Sequence, residues 1–218
     1  MQMNGAPRIA LVDTGVNPWH SHVGGSVSGC RIFAGADGRI DEDDDFRDLV
    51  GHGTAIAGII REGLPDAHIF ALRVFDAEHV TYPSLVARAI LRAAADECAF
   101  INLSLGVPPG PGVHAIRSAC AAALDAGCVL VASTEPDRAG WLPAAVPGVH
   151  VASADDSLAP GVVRVSHLHL AAAGRPRDLV RIPREANLWG HSFACARALV
   201  HLVKHGAHAR AEEVGPHA

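Results

Sequence analysis

At 218 residues, 49% of them apolar and 19% charged, the chain has the size and composition of one folded domain with a sizeable core, and is neither a disordered segment nor two full domains. A net charge of −5 gives no electrostatic footprint for nucleic acid, and no apolar run approaches the roughly 20 residues that span a bilayer, so neither nucleic acid nor membrane is an expected partner.

Met1–Pro7 lacks a basic segment, and the apolar run Arg8–Val12 is far too short for a secretory signal, so none is expected. The cysteines (Cys30, Cys98, Cys120, Cys128 and Cys195) are odd in number and show no metal-type or redox-type CxxC spacing. Reduced, packed thiols and a cytoplasmic location follow as expectations.

Taken in order, Arg8–Val12 reads as a buried strand whose C-terminal end carries Asp13 in an Asp13-Thr14-Gly15 turn. Pro18–His22 is loop-like. Its His20-x-His22 pair has no carboxylate or cysteine at ligand spacing, so a surface loop is preferred to a metal site. Cys30–Ala34 is a further strand candidate, and Asp37–Asp48 reads as an acidic, solvated loop. That loop lacks the glycine and terminal glutamate spacing of an EF-hand, so calcium has little support and no cofactor is expected.

Gly51-His52-Gly53-Thr54 opens a helix of small apolar residues through Ile60. Ile69–Phe75 reads as a strand, Ser84–Glu97 as a helix with Pro83 near its start, and Phe100–Gly106 as a strand and turn. Val113–Ala126 is an alanine-rich helix stopped by Gly127; Cys128–Ala132 and Val149–Ala152 are strands, and Val162–Leu170 holds one or two more. A helix over Phe193–Val203 closes the pattern. Strands alternating with helices of this length predict an α/β fold, a three-layer αβα sandwich around a mainly parallel sheet. The expected organisation is one domain over 1–205 and a loose tail over 206–218.

The chemistry centres on Gly190-His191-Ser192, at the start of that last helix. A serine in this place is most often a cap, its hydroxyl accepting a backbone N–H. It can also face a cleft, where the positive end of a helix favours developing negative charge. Asp13 and His52 favour the second use. An aspartate, a histidine and a serine are the parts that turn a weak hydroxyl into a nucleophile, provided all three reach one cleft.

Val12-Asp13-Thr14-Gly15-Val16, Gly51-His52-Gly53-Thr54-Ala55-Ile56-Ala57-Gly58, Ile101-Asn102-Leu103-Ser104-Leu105-Gly106 and Gly190-His191-Ser192-Phe193-Ala194 occur in that order. Together they resemble the motifs of the subtilisin-like serine peptidases, from Ile9 to His205. The resemblance implies that family's parallel, largely seven-stranded sheet. It also implies Asp13, His52 and Ser192 as catalytic residues and Ser104, Leu105 and Gly106 as the edge that binds substrate backbone.

The chain departs from the pattern at several places. The family's oxyanion asparagine has no counterpart in Val129–Asp137, which leaves Ser133 and Thr134 as the candidate oxyanion region, with Glu135 beside them. Losing one oxyanion donor costs about 10²–10³ in turnover, a figure measured in subtilisin itself. His191 stands for the usual threonine, Ala196-Arg197 for the usual Pro-His, and Ala55 for the second histidine of the helix motif. An imidazole at 191 is read first as a surface residue. The loops look trimmed, and no recognisable pro-segment precedes Arg8. The implied function is a serine endopeptidase dedicated to a specific peptide or protein substrate, for example in leader-peptide removal. The alternative is an impaired pseudo-peptidase that binds peptides or serves as a regulatory subunit of an active homologue.

Overall fold

A computed structural model describes residues 5–206; the tail expected beyond Gly206 lies outside the described residues. The strands are β1 (Arg8–Asp13), β2 (Val27–Ala34), β3 (Ile40–Asp43), β4 (His68–Arg73), β5 (Phe100–Leu103), β6 (Val129–Ser133), β7 (His150–Ala154), β8 (Val163–Ser166) and β9 (His169–Ala172). The helices are α1 (His52–Gly63), α2 (Pro83–Ala95), α3 (Val113–Asp125) and α4 (His191–His205). All the strands join one nine-stranded sheet in the order β3-β2-β4-β1-β5-β6-β7-β9-β8. The two edge strands, β3 and β8, run antiparallel to their neighbours, and the seven between them are parallel.

Side-chain alternation along the central strands divides the core into two layers. Ala10 and Val12 of β1, with Ile101 and Leu103 of β5, pack against α2 and α3. Ile9 and Leu11 of β1, with Phe100 of β5, face the layer containing Ile56, Ile60, Phe193 and Leu199 of α1 and α4. Continuing the same alternation, Asp13 and Ser104 leave the sheet on the α1/α4 side. Helix α4 lies close to the sheet because its buried face mixes Phe193 and Leu199 with the small residues Ala194, Cys195, Ala196 and Ala198.

The acidic stretch differs from expectation. Residues 40–43 are a strand, and most of the acids are paired. Arg31 and Asp43 face each other across the β2–β3 register and form an ion pair. Glu42 binds Arg88 at 2.7 Å and also pairs with Arg92. Asp45 binds Arg47 at 2.6 Å. A run of like charges reads as solvated loop when its partners lie on other elements; here arginines from β2 and α2 make an edge strand of it. The segment 162–170 resolves into the two antiparallel strands β8 and β9.

Cys30, Cys98, Cys120, Cys128 and Cys195 are all buried and free. Burial pushes the Cys120 and Cys195 thiols up to about 12 and those of Cys30 and Cys98 to about 11, so thiolate is scarce at any ordinary pH. The native protein is therefore expected to leave Ellman's reagent unreacted for minutes at pH 8, whereas all five thiols react at once in guanidinium. Prompt labelling of a native thiol would show that the packing is looser than described.

Candidate active site

Asp13 is the last residue of β1 and His52 the first of α1. The imidazole donates from Nδ1 to Asp13 Oδ1 at 2.8 Å. Two glycines permit this approach. A Cβ on Gly53 would lie 2.2 Å from the Gly15 carbonyl oxygen, and one on Gly15, at φ +108°, would lie 2.6 Å from the Phe46 carbonyl oxygen. Neither space admits a methyl group. The contact is fastened by Thr14, whose hydroxyl accepts the Gly53 N–H at 2.9 Å and donates to Asp48 Oδ1 at 2.9 Å. The Thr14 N–H donates to Asp13 Oδ1 at 2.7 Å.

Asp48 closes the acidic run that reads as solvated, yet it is 6% exposed and sits under the start of α1. Besides Thr14, its Oδ1 accepts the N–H groups of Val50 and Gly51 at 2.9 and 2.7 Å. Its Oδ2 accepts the Thr54 N–H at 2.8 Å and the Thr54 hydroxyl at 2.6 Å. Burial alone would raise this carboxyl, but the bonds from Thr54, Gly51 and Val50 outweigh it and hold the group below the ordinary carboxylate range. The legible signal was the Asp-x-x-Gly spacing directly before His52, the pattern of an aspartate that folds a turn onto its own backbone. For His52 the largest influence, burial, lowers the pKa; the Asp13 charge, its hydrogen bond and the Asp48 charge overcome it, and the net shift is upward.

Ser192 lies in the first turn of α4, whose N-cap is Gly190. The commoner capping use therefore does not apply. Its hydroxyl points to the end of β5 and donates to the Ser104 carbonyl at 3.2 Å. The Ser104 hydroxyl in turn donates to the Ser192 carbonyl at 3.3 Å and accepts the Asn102 amide N–H at 2.6 Å. Phe193 brings the start of α4 up to His52, with ring centroids 5.5 Å apart, and His79 lies 6.0 Å away on another side.

His191 is held, contrary to the surface reading. Its Nδ1 accepts the Ala154 N–H at 3.0 Å, and its ring meets the edge of Trp189 at 5.5 Å. Trp189 is itself tied by an Nε1–H bond of 2.6 Å to Asp156. No motif marks Trp189 or Asp156 in the sequence; the three become a unit only when β7 and α4 meet.

Ser104, Leu105 and Gly106 continue β5; Ser133 ends the adjacent β6 and Thr134 follows it. The Thr134 N–H is engaged with the Ala152 carbonyl at 2.9 Å. Ser133 and Thr134 line a recess with Gly106, Glu135, Arg138 and Trp141. Glu135 is paired with Arg138 at 2.8 Å, so its charge is balanced within the recess wall. Asp13, Ser104–Gly106, Ser133 and Thr134 lie at the carboxyl ends of β1, β5 and β6, where parallel sheets gather function, with His52 bonded to Asp13 and the Ser192 hydroxyl bonded to the Ser104 carbonyl and not to His52. An imidazole with one nitrogen fixed by a carboxylate has its other nitrogen available as a base. His20 and His22 form a local pair, the His22 N–H donating to His20 Nδ1 at 3.2 Å. Among the described residues no group of three or more histidine, cysteine or acidic side chains is placed to hold a metal ion.

The parallel sheet between two helical layers, with an aspartate, a histidine and a serine carried to one end of it, is the arrangement of a subtilisin-like protein. The sequence matches the subtilase family over residues 5–154, and the chain belongs to that family. The match includes Asp13 and His52 and ends before Ser192. Over 108 residues the chain is 36% identical to a thermophilic serine proteinase of Bacillus sp. (strain AK1), covering 45% of this chain and 25% of that protein. Over 136 residues it is 34% identical to thermitase of Thermoactinomyces vulgaris, covering 58% and 46% respectively. The chain thus spans less than half the length of these relatives. The crystal structure of the epidermin leader peptide processing serine protease of Staphylococcus aureus superposes with a TM-score of 0.72 at 19% identity, covering 93% of this chain and 68% of that one. That likeness shows the shared fold.

Asp48→Ala is expected to lower the unfolding free energy by roughly 3 kcal/mol, because it orphans buried donors from Thr14, Thr54 and the turn before α1. The wild-type carboxyl is depressed on folding, so its contribution is complete above its unfolded pKa of about 4 and is lost as pH falls through the folded value. Urea titrations should show the gap between the two proteins narrowing below about pH 4; a gap absent at pH 7 would contradict the assignment.

Proposed function

We propose that this chain is a serine endopeptidase in which Ser192 is the nucleophile, His52 the general acid and base, and Asp13 the group that orients His52. The observation that carries this is the 2.8 Å bond between His52 and Asp13 beside a first-turn serine aimed at the end of β5. In the first step Ser192 Oγ attacks the peptide carbonyl carbon while its proton passes to His52 Nε2, and the carbonyl π pair moves onto oxygen. As the carbonyl reforms, the C–N bond breaks and His52 returns the proton to the leaving amine. Water then repeats the sequence on the acyl-enzyme, with His52 again as base. The Ser192 hydroxyl first has to leave the Ser104 carbonyl by rotating about its Cα–Cβ bond. The Ser192 N–H in the first turn of α4 supplies one side of the oxyanion site. The hydroxyls of Ser133 or Thr134 stand in for the missing asparagine on the other.

A specific peptide or protein is the substrate under this reading, and the setting is the cytoplasm. Support for a dedicated processing role comes from the short connection Asp76–Tyr82 and the small recess between Gly106 and Ser133–Thr134. It also comes from the fold shared with an enzyme described as processing a leader peptide. A second reading has one observation behind it. The Ser192 hydroxyl rests on a backbone carbonyl, and a protein that kept it there would bind peptides without cleaving them.

A fluorophosphonate probe separates the two. Labelling of the wild type that disappears in Ser192→Ala establishes the nucleophile; an unlabelled wild type supports the binding protein. The labelling rate should also depend on pH. His52 must be neutral to accept the proton and its pKa is raised in the folded protein, so the half-maximal rate is expected above the ordinary histidine value of about 6.5. Asp48→Asn removes a negative charge that favours the imidazolium and should move that midpoint to lower pH; an upward shift would contradict the electrostatics.

A further inference from the structure

Strand β7 turns its backbone groups to its two neighbours alternately. The Val151 and Asp155 N–H groups point toward β9 and donate to the Leu168 and Ala172 carbonyls at 2.7 and 2.8 Å. The residues between them face β6: Ala152 pairs with Ser133, and its carbonyl accepts the Thr134 N–H at 2.9 Å. By the same alternation, the next group on the β6 side is the Ala154 N–H. In a continuing parallel ladder its partner would be the Thr134 carbonyl. Strand β6 has ended at Ser133, however, and the chain turns away, the Arg138 N–H donating to the Glu135 carbonyl at 3.0 Å. A side chain completes the rung instead: His191 Nδ1 accepts the Ala154 N–H at 3.0 Å.

A ring nitrogen that accepts a hydrogen bond carries no proton, so this tie holds His191 as the neutral tautomer with its hydrogen on Nε2. The two residues before it are fastened to the same corner of the sheet. The Gly190 N–H donates to the Gly174 carbonyl at 2.9 Å, and the Trp189 indole N–H to Asp156 Oδ2 at 2.6 Å. Asp156 Oδ1 also accepts the Gly174 N–H at 3.0 Å, so one carboxylate holds both the indole and the segment after β9. The corner has no slack. A Cβ on Gly174 would lie 2.7 Å from Ala154 Cβ and 3.0 Å from Trp189 Nε1. No side chain caps α4, so the place of Ser192 is set by these ties on one side and by Ser104 on the other. Of the tied residues before the serine, His191 alone belongs to α4 and is bonded to Ser192 through the backbone.

We propose that His191 is a positioning residue for Ser192: its Nδ1 supplies the rung that β6 leaves open on β7, and this fixes the hydroxyl and the N–H of the nucleophile. This rests on the peptidase reading and adds to it the group that holds the reacting atoms in place. His191 acts through the backbone of α4 and not on the substrate. The requirement is therefore an acceptor at the position of Nδ1, not an imidazole. Asparagine carries its Oδ1 at the same distance along the side chain and accepts the same N–H. Alanine leaves the Ala154 N–H without that partner, and leucine restores bulk without an acceptor.

The test compares the whole chain with His191→Asn, His191→Ala and His191→Leu. The readout is the rate of fluorophosphonate labelling at Ser192 per folded molecule, with folding followed by circular dichroism. Misplacing a reacting group by about 1 Å costs up to about 10²-fold, so the alanine and leucine variants are expected to label at least about tenfold more slowly than the wild type. His191→Asn should stay within about threefold of the wild type, a rescue that lost packing alone does not produce. His191→Leu decides the matter if His191→Ala does not fold. Long-range 1H–15N correlation spectra at neutral pH, assigned by the signal missing from His191→Asn, should show the Nε2–H tautomer. A folded alanine or leucine variant that labels at the wild-type rate overturns this inference alone, as does an asparagine variant as slow as either, or an Nδ1–H tautomer. A wild type that does not label overturns the peptidase reading and this inference together.

Discussion

The site depends on two turns that touch through their glycines. Gly53 sits against the carbonyl of Gly15, and nothing larger than hydrogen fits between them. That contact sets how near the start of α1 comes to the end of β1, and so the distance at which His52 meets Asp13. Thr14 and Asp48 then lock it. The Gly53 N–H, the Thr14 hydroxyl and the Asp48 carboxylate form one chain, and the same carboxylate gathers the backbone N–H groups before α1. The Asp48 charge stiffens the helix start and also favours the protonated form of the imidazole beside it. Structural support and tuning of the proposed base come from one buried group.

The other half of the site is built by a different contact. Helix α4 meets the end of β5 through reciprocal bonds between Ser104 and Ser192, each hydroxyl reaching the other residue's carbonyl. Upstream, His191 is fastened to β7 and Trp189 to Asp156, so the turn that carries the serine is tied on both sides. These ties position the serine without using its hydroxyl as a cap. They also explain why an imidazole is tolerated next to it: the ring faces Ala154 and accepts a backbone hydrogen bond there. The recess beyond Ser104 belongs to this half, with Trp141 as its wall and the Glu135–Arg138 pair as its rim.

Much of the fold could be read from local pattern. Buried parallel strands appear as short apolar runs, and α2 and α3 carry their buried residues at helical spacing between clear stop signals. Local pattern misleads where a segment's partners lie far away in the chain. Ile40–Asp43 looks like loop because its acids are matched by Arg31, Arg88 and Arg92 on other elements. Asp48 looks like one more exposed acid because it ends an acidic run, although most of the donors that hold it, from Thr54 and its own turn, are close in the chain and only Thr14 is distant. His191 looks exposed in sequence because its anchor, Ala154, is on β7.

What residue order alone established is the set of chemical parts. Asp13, His52 and Ser192 sit in short motifs whose glycines and flanking apolar residues are local, and the apolar run Arg8–Val12 places Asp13 at the end of a buried strand. Which donors surround them was decided only in three dimensions. The missing asparagine is visible by inspection; the recess that Glu135, Arg138 and Trp141 make in its place is not. A recess is defined by the distance between segments, and here that distance follows from the β5–β6 register and the packing of one indole against Gly106. No pattern within either segment encodes that volume.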